Sequence, residues 1–544
     1  MQKHKRISKS LIAGILTVTV ALLFLGSCSK DDSSVEAETK SAEDKTVFIG
    51  QVNPPITFNP VNCPSVASQY DQKPILDSLL GMVEPLKFEP LLADTFELKD
   101  PTTLLIKIND KANWTDGQPV SSEDVAFTIN RIANPKIDSA ISGYLKYFPG
   151  LGSNGKLPEG ETELSAITIV DNKTLEIKLV KSIDVNIIRE QIGVNMRIIP
   201  KHVLKDIPAE DFNKAPYFAS PTVTSGAYKF VKYEKDQYVE YVANHDYFRG
   251  APKIEHMFIT LVPATNMAAK LETGEIHFNT GTGIGLIPST DFETVMGLSN
   301  IRTKTEPNTS VQMILFNVSR IKDKRVRQAL AYAMDRESIL KNILKGSGEI
   351  VDPPLTSMNP YLDKSIPPYP HNVDKAKELL AEAGWDPERE LEFVVPIGNK
   401  DREQAANIVA QNFAEAGIKV KMNKFDFPTV LKKAVGHDFD LVFIGNNFLL
   451  DPDGISSLYQ SSSPYDMSFY KNDEVDRLFD EGRNEPDPSK RHQIYSRIQQ
   501  IIYDELPLIT IYSYHELLGV SDQLIKGEPR FYGTFYDVNE WDLK

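Results

Sequence analysis

The sequence predicts an α/β protein with mixed sheets, divided into more than one lobe. Three observations carry this. Residues 372–385 (NVDKAKELLAEAGW) and 402–422 (REQAANIVAQNFAEAGIKVKM) space apolar side chains as helices do and stop at Gly384 and Gly417, the second running on into a strand. Such helix-to-strand units, followed by an apolar strand at 439–444, imply a partly parallel sheet. Residues 160–200 (with ITIVDNKTLEIKLV) and 224–262 instead alternate at period two, as half-buried strands do. With 544 residues, 41% of them hydrophobic, the chain can bury a large core and divide.

At the start of the chain, Lys3, Lys5, Arg6 and Lys9 precede an apolar run from Leu11 to Leu25, the pattern of a signal peptide. Leu25-Gly26-Ser27-Cys28 resembles a bacterial lipobox. That implies removal of residues 1–27, acylation of Cys28 and a protein held by lipid on the outer side of a membrane. Residues 28–44 are polar, acidic and serine-rich, a flexible tether. The formal net charge of -15 argues against a nucleic-acid binder, since phosphate binding needs a basic face. Cys63 has no partner once Cys28 is lipidated, so neither a disulfide nor a cysteine metal site is expected.

Thr46 to Val52 has the β-branched content of a first strand, stopped by Pro54-Pro55. Residues 74–83 (PILDSLLGMV) read as a short helix with proline at its start, and 90–108 as two strands turning at Asp100-Pro101. In 113–131 (NWTDGQPVSSEDVAFTINR), Asp116-Gly117 makes a turn, Ser121 caps a helix with Asp124 completing a capping box, and Val125, Ile129 and Ile132 share its apolar face. A helix at 267–278 stops at Gly274, and a buried strand begins at Val311. Asp323 caps a helix carrying Val326, Leu330, Ala333 and Met334 on one side. A final amphipathic helix ends before Pro507 and leads into a strand presenting Tyr512 and Tyr514 on one face.

Several of these segments resemble one family. WTDGQPVSSEDVAFTINRI is similar to the W/F-x-D-G-x-P-x-T/S-A-E-D-V-x-F-T/S segment of the family 5 extracellular solute-binding proteins, the peptide, oligopeptide and nickel carriers of ABC importers. The likeness continues in Gly226, Tyr228, Asn244, Tyr247, Phe248, Gly250 and Pro252, in MAAKLETGEIHF, in DKRVRQALAYAMDR and in LPLITIY. It implies a two-lobed periplasmic-binding-protein-like (Venus flytrap) fold of the large dipeptide/oligopeptide type with an extra subdomain. The implied division is 45–72 for the first part of lobe 1, 73–194 for the extra subdomain, 195–305 for lobe 1 continued, 306–509 for lobe 2 and 510–544 for the return to lobe 1. It further implies a monomer that captures a peptide or other small solute between the lobes and delivers it to permease subunits.

The ligand set implied by the resemblance centres on Ile444-Gly445-Asn446-Asn447-Phe448-Leu449-Leu450-Asp451-Pro452-Asp453-Gly454. Peptide-binding members place an Asp three residues before the D/E-P pair, where it meets the peptide's ammonium. Here Asp451-Pro452 matches, but Phe448 stands at that position with Asn447 beside it. Asn accepts a hydrogen bond but supplies no charge. The ligand-binding residues expected are therefore Asn446, Asn447, Phe448, Asp451, Asp453 reaching in, and Tyr512, with amidated, cyclic, N-blocked or sugar-like ligands as alternatives to free-amine peptides. An opine or a metal chelate is a further alternative. Arg325 and Arg327 read either as carboxylate clamps or as bracing charges. No catalytic residue, metal ligand or cofactor is expected: no H-E-x-x-H, G-x-S-x-G or S-x-x-K constellation occurs, and the nine His never pair at ligand spacing. An envelope hydrolase, whose carboxylates need no local motif, is the rival class.

Overall fold

The computed structural model describes residues 45–463 and 466–544; the expected signal segment 1–27, the expected tether 28–44 and the expected lipidation site Cys28 lie outside the described residues. One mixed sheet of eleven strands runs through the molecule. From one edge its order is Lys419–Phe425, Glu390–Pro396, Leu441–Asn447, Ile301–Phe316, Leu508–Ser521, Phe278–Asn279, Thr46–Gln51, His256–Leu261, Tyr238–Ala243 and Tyr228–Glu234. A short strand, Gly348–Glu349, pairs beside Leu508–Ser521. The first three strands are mutually parallel, as the helix-to-strand units require.

Ile301–Phe316 and Leu508–Ser521 are the long antiparallel pair at the middle, here termed the crossing strands. Their register shifts between Pro307/His515 and Val311/Ser513, leaving a bulge over residues 308–310. On one side of it, Val47, Trp114, Tyr228 and Trp541 share a core. On the other, alternate residues serve two cores. Ile314, Phe316, Phe393 and Phe443 pack on one face of the sheet, and Val311, Met313, Leu315 and Val442 on the other. A strand covered on both faces reads as a continuous apolar run, which is why VQMILF lacks alternation.

A separate antiparallel sheet, Ala93–Asp100, Thr103–Ile108, Thr174–Lys178 and Ile167–Ile169, turns at Asp100 and Pro101 as expected. Beside it lies the helix Ser122–Ala133, whose capping box between Ser121 and Asp124 is formed, with Val125, Ile129 and Ile132 buried. Asp124 also accepts from the Trp114 indole at 3.3 Å and from the Lys201 amide at 2.8 Å, tying turn, helix and a later segment together.

Residues 74–83 are not a helix. The helix Val66–Asp71 ends just before them, and Leu80–Glu84 is a strand. The carbonyl of Pro74 accepts from the Tyr228 amide, and that of Ile75 from the amides of Ser225 and Gly226, so the acceptors of a helical turn are taken by a distant segment. Gly226 permits this: a Cβ there would lie 2.4 Å from the Pro74 carbonyl oxygen. Met334 likewise falls outside its helix, Lys324–Ala333, though it stays in the same core.

Candidate ligand cleft

Of the expected ligand residues, Asn446, Asn447 and Phe448 gather at the bulge in the crossing strands. Asn446 and Asn447 end the strand Leu441–Asn447 opposite Val311 and Ser310, and the Phe448 amide donates to the Thr309 carbonyl at 3.3 Å. Asn446 is half-buried and Asn447 exposed. Asn308 folds back to accept from the Ser310 amide at 2.7 Å, and its side-chain amide donates to the Glu516 carboxylate across the pair. Burial pushes Glu516 up to about 7.

Side chains from the second half crowd this floor. Gln312 accepts from Arg402 Nε at 2.8 Å, and both lie over Gly445. A Cβ at Gly445 would meet Gln312 Nε2 at 2.3 Å and Arg402 Nη2 at 3.0 Å, so glycine is required by close approach. Tyr512, fully buried, sits 3.3 Å from the Tyr514 hydroxyl, and Tyr514 reaches Asp401 at 3.4 Å. Asp401 is raised above the ordinary carboxylate range by burial. Asp401 and Arg402, from the first turn of the helix Lys400–Glu415, thus bring one acid and one base toward the bulge. Sequence reading missed both because no motif marks them.

Asp451 and Asp453 are placed differently from Asn446 and Asn447. Both are buried. Arg491 Nη2 meets Asp451 Oδ1 at 2.8 Å, and Arg483 meets Asp453 through Nη2 at 2.8 Å and Nε at 3.0 Å. Asp184 lies 3.6 Å from Arg491, and its amide donates to the Arg483 carbonyl at 2.9 Å. The Glu190 carboxylate accepts from the Leu450 and Asp451 amides at 2.7 and 2.8 Å. These carboxylates are therefore engaged with protein partners, and Asp453 does not turn toward the bulge residues. Arg327 also braces: it holds the carbonyls of Ile321, Lys322, Glu505 and Leu506. Arg325 pairs with Asp323 at 2.6 Å. His277 accepts from the Phe48 amide at 3.1 Å, a structural role inside the sheet. Among the described residues no cluster of His, Cys, Asp and Glu could hold a metal ion.

The family profile described as Bacterial extracellular solute-binding proteins, family 5 Middle matches residues 87–469, well over half of the chain. The chain belongs to this family. This family 5 solute-binding protein is similar to the oligopeptide-binding protein AppA of Bacillus subtilis, 26% identical over 98% of this chain and 99% of that one. It is also similar to the heme-binding protein A of Haemophilus influenzae, 25% identical over 96% and 98% of the two chains. Its fold matches the crystal structure of the ABC transporter substrate-binding protein CtaP from Listeria monocytogenes with a TM-score of 0.78, at 26% identity over 92% of this chain and 99% of that one. As in its structural neighbours, the fold is the two-domain periplasmic binding type.

Proposed function

We propose that this chain captures a peptide or related small solute for an ABC importer and presents it to the permease. The observation that carries the reading is the bulged crossing pair: two strands link the cores on either side, and polar groups of both crossing strands and of Asn446, Asn447, Asp401 and Arg402 converge there. On this reading 45–305 and the C-terminal return form lobe 1, with 73–194 as its extra subdomain, and lobe 2 begins at 306; the return, expected at 510, falls instead near 515, because Ile511 and Tyr512 pack in the core of Phe393 and Phe443. Solute contacts to both lobes favour the closed arrangement. Asn446, Asn447 and Phe448 contact the solute, Tyr512 acts through Tyr514, and Asp451 and Asp453 set the loop in place from beneath. The relatives named for oligopeptide and ABC-transporter substrate binding support the solute class.

The missing acid at 447 and 448 favours a second reading, an N-blocked or non-peptide solute in the same cleft, and a relative named for heme binding is in keeping with it. Native mass spectrometry of the purified protein decides between them. A ladder of short peptide masses supports the first, one defined non-peptide mass the second, and deletion of the permease must abolish uptake of the released compound if the importer role holds. Cys28 anchors a monomeric chain by lipid in this proposal; Cys28→Ser abolishes incorporation of labelled palmitate and releases the protein to the soluble fraction.

A further inference from the structure

A cavity of about 250 Å³ borders the crossing strands, where the Phe531 amide of its wall donates to Glu306 at 3.2 Å, and is walled by the segment following the first strand, by Tyr144 of the extra subdomain, by Arg197 just beyond that subdomain, and by the C-terminal residues 531–536. Its wall is largely aromatic and aliphatic: Tyr70, Tyr144, Tyr532, Phe535, Leu80 and Met82. Two cations, Lys73 and Arg197, face into the same space. Among the described residues neither has a carboxylate within 4.0 Å. Lys73 Nζ makes no hydrogen bond to the described residues and rests over the Tyr70 ring at 4.8 Å. Arg197 donates one hydrogen bond, from Nη1 to the Leu76 carbonyl at 2.8 Å, leaving the rest of the guanidinium without a protein acceptor.

Among the described residues Asp77 is the one carboxyl in the wall, and it is already engaged: the Tyr247 hydroxyl donates to it at 3.0 Å. Burial raises it to about 7 against the opposing pull of Arg249 and Arg197. Burial and the neighbouring Arg197 pull Lys73 down to about 7. Lys73 and Arg197 placed together in an apolar wall disfavour each other's charged form, and an anion between them favours it by offsetting both the repulsion and the desolvation. The volume suits one group of amino-acid size rather than an extended chain.

We propose that this cavity receives the carboxylate of an organic solute, with Lys73 and Arg197 holding the anion and the aromatic wall its apolar body. The inference rests on the solute-capture reading and narrows the solute to one bearing a carboxylate on an aromatic or aliphatic frame. That group comes either from a free small acid or from the end of a peptide.

Calorimetry on the purified full chain tests it with N-acetylphenylalanine, the tripeptide Ala-Ala-Phe, and the primary amide of each. The expected result is at least tenfold tighter binding of one acid than of its amide, and the acid that shows it identifies the source. In Lys73→Met and in Arg197→Met the preference falls below threefold with Tm unchanged; should either fail to fold, Lys73→Arg and Arg197→Lys retain the preference and the acid-to-amide ratio of the native chain decides. Equal binding of acid and amide, absence of binding by both acids, or a preference that survives both Met variants overturns the proposal. A neutral or cationic solute released in native mass spectrometry also overturns it while leaving solute capture standing; loss of the importer role shows instead as uptake that persists without the permease.

Discussion

Glu190 joins two separately packed parts of the chain through a single carboxylate. It sits among Ile187, Ile188 and Ile192 of the first core, yet its oxygens hold the amides of Leu450 and Asp451, next to the core of Ile455 and Leu458. Burial raises it from an ordinary 4.5 to about 7. The sign follows: an acid raised in the folded state leaves stability undiminished below 4.5, and stability falls as pH climbs toward 7. Glu190→Gln removes that loss, so its stability relative to the native chain improves between pH 4.5 and 7.5 by up to about 3 kcal/mol. Urea titrations at the two pH values measure it. At the bulge, Asn447 is exposed at a strand end with room for a carboxylate. Asn447→Asp is expected to tighten binding of free-amine peptides about tenfold in calorimetry, the worth of roughly 1.4 kcal/mol, if their ammonium lies there; unchanged or weaker binding rejects that placement.

At the scale of elements, local chemistry was legible and distant partnership was not. The cap at Ser121, the cap at Asp323 and the stops at Gly274, Gly384 and Gly417 all formed, because each depends on residues within one or two turns. Residues 74–83 failed as a helix for the opposite reason: their carbonyls belong to residues 225–228, about 150 positions away, and no local pattern announces that. The same limit hid the fate of Asp451 and Asp453. Arg483 and Arg491 follow them on two helices, Asp473–Asn484 and Pro488–Glu505, while Glu190 precedes Asp451 by 261 positions. Asp124 illustrates how a local motif acquires long reach, since its carboxylate serves Ser121, Trp114 and Lys201 at once. Asp124→Ala is expected to destabilise the chain by about 2 to 4 kcal/mol, more than an ordinary cap, because buried donors lose their acceptor. Ser121→Ala should cost only about 1 kcal/mol. Denaturant midpoints of the two variants test the difference.

Across the whole molecule, the contacts of Asp184 and Glu190 with Arg483, Arg491 and the 450–451 amides tie the two sides together away from the crossing strands. Removing them should favour an opened arrangement without unfolding either side. Asp184→Ala combined with Glu190→Ala is expected to enlarge the radius of gyration in small-angle scattering and to weaken solute binding about tenfold, near 1.4 kcal/mol of coupling. An unchanged radius with unchanged affinity would show that these contacts do not set the degree of closure. The crossing strands have another consequence. Pro307 and His515 are register partners, as are Val311 and Ser513. The chain therefore leaves and re-enters the first side at neighbouring points, like a hairpin whose tip has been replaced by a second protein. Joining residue 307 to 515 through a tight turn restores that hairpin and removes the guest; the shortened chain should fold by itself, and the excised piece, its two ends already side by side, should accept new termini elsewhere by circular permutation.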